Sequence, residues 1–127
     1  MEESVVQRKI AKLILIEMST ILQREARFGL GTMITVTLAR VTKDLELAKI
    51  YVSIYPEDDA QTVVDSLNKN NWELRKLLSA RIRNNLKKMP NVIFYLDDSL
   101  QEAQKIEDLL ATLNIPKDEE VEIKDEI

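Results

Sequence analysis

Residues 33–55, MITVTLARVTKDLELAKIYVSIY, set the architecture of the chain. In the first half Ile34, Val36 and Leu38 alternate with Thr35, Thr37 and Ala39; in the second, Ala48, Ile50, Val52 and Ile54 alternate with Lys49, Tyr51 and Ser53. A period of two built on β-branched residues marks strands that bury one face. Between the halves Thr42, Lys43, Asp44 and Leu45 form a polar turn, in which the Asp44 side chain can accept from nearby backbone amides. The pair is a hairpin. A lone hairpin does not stand in water, so helices on either side must cover its apolar face.

Upstream, Ser4 caps a helix predicted to run to about residue 27, with Val6, Ile10, Leu13, Ile14 and Ile21 on one side. Glu17 projects within that stripe and needs a partner, because an unpaired buried carboxylate is costly. Phe28-Gly29-Leu30-Gly31 holds both glycines of the chain but lacks the Lys-Ser/Thr of a phosphate-binding loop, so it serves as helix end and turn.

Downstream, Pro56 with Glu57, Asp58 and Asp59 stops the second strand and opens a short helix whose apolar face is Ala60, Val63, Val64 and Leu67. Asn68, Lys69, Asn70 and Asn71 favour caps and turns, which predicts a kink or break there. A longer helix is expected from Trp72 to about residue 89, with Leu74, Leu78, Ile82 and Leu86 repeating every four residues. Pro90 ends it. Residues 92–96, VIFYL, form a third strand that is apolar on both sides and expected to be covered on both. Adjacent Asp97 and Asp98 do not share a face as metal ligands would, and Asp98 or Ser99 serves instead to cap a last helix buried through Leu100, Ala103, Ile106, Leu109, Leu110 and Leu113. The domain therefore spans residues 1–115, and residues 116–127 form an acidic tail expected to be disordered.

Of the 127 residues 45% are hydrophobic and 31% charged, enough for one core and a charged surface. No cysteine is present, which excludes disulfides, thiol catalysis and sulfur-ligated zinc. No histidine is present either, which removes the commonest general base and the commonest transition-metal ligand. An enzyme is the least favoured class, and no cofactor and no metal are expected. No apolar run approaches a membrane span, so a cytoplasmic monomer without small-molecule substrate is expected.

The net charge of −4 is unevenly placed. Residues 1–100 carry 15 basic and 13 acidic side chains, whereas residues 101–127 carry 3 and 9. Within residues 69–88 seven basic residues, Lys69, Arg75, Lys76, Arg81, Arg83, Lys87 and Lys88, stand against Glu73 alone. Lys76, Arg83 and Lys87 fall on the helix face away from the leucines, with Arg75 and Arg81 flanking the apolar side. Arg8, Lys9 and Lys12 add a second cluster on the first helix. A nearly single-signed cationic face in an acidic chain points to nucleic-acid phosphates.

The order helix, two strands, two helices, strand, helix is α+β with a three-stranded mixed sheet, and matches the type II KH arrangement of RNA-binding domains. Residues 34–37 (ITVT), 41–45 (VTKDL) and 48–53 (AKIYVS), the Arg-rich helix, Pro90 and residues 94–100 (FYLDDSL) resemble the ribosome-binding factor A family in order and spacing over residues 5–113. The resemblance implies a non-enzymatic assembly factor that binds the immature small (30S) ribosomal subunit and its 16S rRNA, assists late maturation and rRNA processing, and leaves before translation. Where the family carries an Ala-x-Gly kink, Asn70, Asn71 and Trp72 stand in this chain, and no Gly-x-x-Gly clamp lies between the paired helices. Asn70 and Asn71 become the candidate readers of RNA shape, with Lys69, Arg75, Lys76, Arg81, Arg83, Lys87, Arg8, Lys9 and Lys12 on phosphates. Trp72 either stacks on a base or packs under the kink; the usual burial of tryptophan favours packing. The rival class is a protein-binding adaptor of the same fold, whose binding would depend little on salt.

Overall fold

The computed structural model describes residues 3–99. Helix α1 (Val5–Arg24) is followed by a 3-10 turn (Ala26–Gly29), strands β1 (Met33–Val41) and β2 (Leu47–Tyr55), helices α2 (Ala60–Lys69) and α3 (Asn71–Ile82), a second 3-10 turn (Arg83–Asn85) and β3 (Asn91–Leu96). This is the α+β, α-β-β-α-α-β order of a type II KH-like domain. The predicted last helix and acidic tail lie outside the described residues.

The central strand is β2, antiparallel to β1 and parallel to β3. Parallel neighbours cannot be joined by a tight turn, so the chain from 56 to 90 crosses over through α2 and α3. Ala48, Ile50, Val52 and Ile54 are all buried on one face of β2, as their alternation predicts. They join Ile14, Met18, Leu67, Leu74, Leu78, Ile82 and Phe94 in one mostly aliphatic core. Removing one of these side chains would forfeit both its transfer free energy and its packing.

The alternation of β1 does not hold throughout. A bulge between Val36 and Leu38 inserts one residue, so Val36, Ala39 and Val41 are buried while Leu38 is 41% exposed. An extra residue in one strand shifts every later side chain to the opposite face. At the bulge the Thr37 hydroxyl donates to Asp97 Oδ2 at 2.6 Å.

Three further expectations are corrected. The buried stripe of α1 is Gln7, Ala11, Ile14, Met18, Ile21 and Leu22, and Val6 is exposed. Ser4 and Gln7 form a capping box, and Gln7 Nε2 donates to Val41 O at 2.9 Å, so the helix start is tied to the strand by an inward glutamine. Strand β3 is not covered equally on both sides, since Tyr95 is 38% exposed. Its ring stacks on Tyr51 at 5.3 Å, and this cross-strand aromatic pair shields the outer face. Finally, α3 ends at Ile82, seven residues earlier than expected. Arg83–Asn85 tightens into a 3-10 turn and Leu86 is extended, in keeping with two consecutive asparagines that compete for backbone hydrogen bonds and a proline ahead.

The turns follow local chemistry. Leu30 and Gly31 both have positive φ, 53° and 85°, which fits glycine at the second position. In the hairpin turn Asp44 Oδ1 accepts from the Thr42 hydroxyl at 2.7 Å and from the Glu46 N–H at 3.0 Å. The Thr42 hydroxyl, and after it the Glu46 amide, hold the Asp44 carboxyl below the usual carboxylate range. A depressed value means that the turn is stabilised at neutral pH and loses that contribution as pH falls through the lowered value. An NMR titration should accordingly show the Asp44 carboxyl ionising below the free-aspartate value, and Thr42→Ala should return it toward that value.

Candidate nucleic-acid interface

The polar and basic side chains of residues 68–88 divide into three groups according to what each one holds. One group lies along the outer edge of β3. Asn68 Oδ1 accepts from the Phe94 N–H at 2.8 Å and Asn68 Nδ2 donates to Phe94 O at 2.9 Å. Asn71 Nδ2 donates to Val92 O at 3.2 Å. Arg75 donates through Nε to Pro90 O at 3.0 Å and through Nη2 to Met89 O at 2.8 Å. Asn70 Nδ2 donates to Ser66 O at 2.9 Å and closes the last turn of α2. The two asparagines expected to face RNA thus have their amide donors on the protein's own backbone. Asn68 and its role are not legible from charge, although the spacing 68, 71, 75 places three polar residues on the side of the paired helices that meets the strand.

A second group ties elements together. Arg81 Nε donates to Glu17 Oε1 at 2.6 Å, joining α3 to α1 and supplying the partner that Glu17 needs within its apolar stripe. Lys88 pairs with Glu46 of the hairpin turn at 2.7 Å. Arg27 pairs with Glu73 at 2.6 Å, and Glu73, more than its neighbour Glu25, raises the already high pKa of Arg27.

The third group faces outward. Trp72, Lys76, Ser79, Ala80 and Arg83 succeed one another on the solvent side of α3 and line a shallow groove with Arg75 at its wall. Trp72 is 69% exposed, contrary to the expectation of packing. The cause is helical phase: Asn71 turns inward to Val92, and the next residue is rotated by about 100° toward solvent. Lys76 Nζ stands 5.5 Å from the centre of the Trp72 ring. Lys69 at the end of α2 and Lys87 beyond the helix are exposed and make no ion pair with a described residue. Lys87 does not share the face of Lys76 and Arg83, because the helix has already ended.

Arg8, Lys9 and Lys12 are exposed on the first turns of α1, where Arg8 Nη1 donates to Glu3 O at 3.0 Å. That end of α1 meets Val41 near the hairpin turn, and Lys88 meets Glu46 at the same turn. Trp72, by contrast, lies beside Glu73, which pairs with Arg27 past the far end of α1. The basic stretch therefore runs alongside α1, from Lys76 beside Trp72, through Arg81 opposite Glu17 at mid-helix, to Lys88 at the hairpin turn near which Arg8, Lys9 and Lys12 lie.

Among the described residues no three His, Cys, Asp or Glu side chains converge as a metal site, and no helix is long and apolar enough to cross a membrane.

The family model of ribosome-binding factor A matches residues 6–110. A protein of that name from Cytophaga hutchinsonii is 41% identical over 119 residues, which cover 93% of this chain and 90% of the relative. One from Chlorobaculum tepidum is 36% identical over 113 residues, covering 88% of this chain and 93% of the relative. Among solved structures, the crystal structure of ribosome-binding factor A from Thermus thermophilus is similar in fold, with a TM-score of 0.60 at 18% identity over 71% of this chain and 94% of the other.

Proposed function

The chain belongs to the ribosome-binding factor A family, and on that premise we propose that it binds the immature small ribosomal subunit as an assembly factor, contacting 16S rRNA and assisting its late maturation and processing. The observation that supports this is the outward row of α3. Lys76 and Arg83 are exposed, carry one sign, and make no ion pair with a described residue. Lys69 at the end of α2 and Lys87 past the end of α3 are further exposed cations of the same stretch, and Arg8, Lys9 and Lys12 supply a second patch near the hairpin turn. Such cations neutralise phosphates and release counterions, which positions a protein without reading sequence. Specificity comes from the shape of the rRNA on which both patches can rest together. Asn70, Asn71, Arg75 and Arg81 contribute by fixing α1, α2, α3 and β3 against one another, so that the cations present a rigid surface. The factor works by binding alone, without turnover.

Co-sedimentation with isolated ribosomal subunits over a salt series tests this. Binding should be to small subunits, with the logarithm of affinity falling linearly against that of salt with a slope of about −5 if all seven cations meet phosphates. Binding that is indifferent to salt would discard the phosphate surface and favour the protein-binding adaptor. A cytoplasmic monomer is sufficient for either outcome.

A further inference from the structure

We propose that Trp72 is a stacking platform for a single unpaired base, with Lys76 and Arg83 holding the phosphates of the same strand along α3. The proposal rests on the rRNA reading above and specifies what that groove takes: single-stranded RNA.

Three observations converge. The only tryptophan of the chain is 69% exposed rather than buried, at the head of a groove and not in the core. An indole in water exposes a large apolar face, and a base covers it without needing any particular hydrogen-bond pattern. Next, Lys76 stands over one ring face at 5.5 Å, which orients the indole and leaves its other face for a base. Lastly, the groove beyond the ring is floored by the small residues Ser79 and Ala80 and walled by Arg75 and Arg83. From Trp72 to Arg83 is eleven residues of helical rise, about 16 Å, which a few nucleotides span.

The chemistry of the lining favours RNA over a peptide. Every charged residue of the groove is a cation, and the nearby Glu73 is held by Arg27. A protein partner would have to present several carboxylates to these three cations, whereas a nucleic-acid strand brings one phosphate with every nucleotide. A duplex satisfies Lys76 and Arg83 but hides its bases, so only an unpaired strand engages both features.

Because Trp72 is unique, its emission reports on the site directly. Titration at low salt with an unstructured single-stranded RNA of roughly ten nucleotides should quench the fluorescence, and a duplex of equal length should not. In filter binding, Trp72→Ala should weaken single-strand affinity roughly tenfold, the scale of one lost stacked base, while Trp72→Phe keeps most of it. The salt slope should be the same in both variants, since no phosphate contact is removed. The exposed position leaves the melting temperature of each variant near that of the parent. Unchanged emission on adding single-stranded RNA, in a protein that still pellets with small subunits, would overturn the platform and spare the rRNA reading. Equal quenching by duplex, or single-strand affinity undiminished in Trp72→Ala, would overturn it as well. Failure of the parent protein to pellet with subunits at low salt would remove both proposals together.

Discussion

Replacing Asn68 with alanine should lower the unfolding free energy by about 2 kcal/mol, the cost of orphaning two partly buried backbone groups. For a domain of this size that corresponds to a fall in melting temperature of roughly 10 °C. Asn68 is an exposed-looking polar residue in a run of polar residues, yet its amide meets both the N–H and the carbonyl of Phe94, at 2.8 and 2.9 Å. Phe94 is among the largest fully buried side chains, so its backbone cannot drift outward to find water without disturbing the core. Leucine at position 68 should fare no better than alanine, since added apolar surface does not satisfy either group. Chemical denaturation of both variants checks this; a change under about 0.5 kcal/mol, the scale of an ordinary surface substitution, would show that water replaces the amide at no cost.

The second large effect separates cations by task. Lys76→Ala combined with Arg83→Ala should leave the fold intact, weaken binding to small subunits at least tenfold, and lower the salt slope by about 1.5, the loss of two phosphate contacts. Arg75→Ala and Arg81→Ala should behave oppositely. Arg75 holds the carbonyls of Met89 and Pro90, and loss of Arg81 leaves Glu17 unpaired in a half-buried stripe. Arg75→Ala should cost about 1–2 kcal/mol of stability and Arg81→Ala, whose ion pair is partly open to solvent, about 0.5–1 kcal/mol, both with little change in salt slope. Sedimentation and thermal melts on the two pairs decide the matter: equal salt slopes in both would mean that the outward row is not where phosphates bind.

The hairpin and the helix order are legible because each rests on a period that many residues repeat. Ala48, Ile50, Val52 and Ile54 leave no other strand phase. Single-residue events are not legible. The bulge at Thr37 inverts the later half of β1, and nothing in ITVTLARV distinguishes a bulged strand from a regular one. The end of α3 is hidden by Leu86, which continues the leucine repeat past Ile82 and still packs against the core from an extended backbone. A side chain's apolar contact does not require the helix that its spacing suggests. Trp72 escapes sequence reasoning for a related cause: the general tendency of tryptophan to be buried yields to the phase that Asn71 imposes on the helix. For the proposed interface, charge marks a segment, but geometry is needed to tell the outward Lys76 and Arg83 from Arg75 and Arg81, which hold the protein's own groups.

The row of Asn68, Asn71 and Arg75 along β3 has one more consequence. A strand at the border of a sheet ordinarily offers free amides and carbonyls to any extended chain that passes, and so seeds aggregation. In this domain side chains from the crossover already occupy the Val92 carbonyl and both backbone groups of Phe94, and hold the carbonyls of Met89 and Pro90 just before the strand. The middle of that border is thus capped by the domain's own helices, which leaves a passing strand fewer groups to pair with.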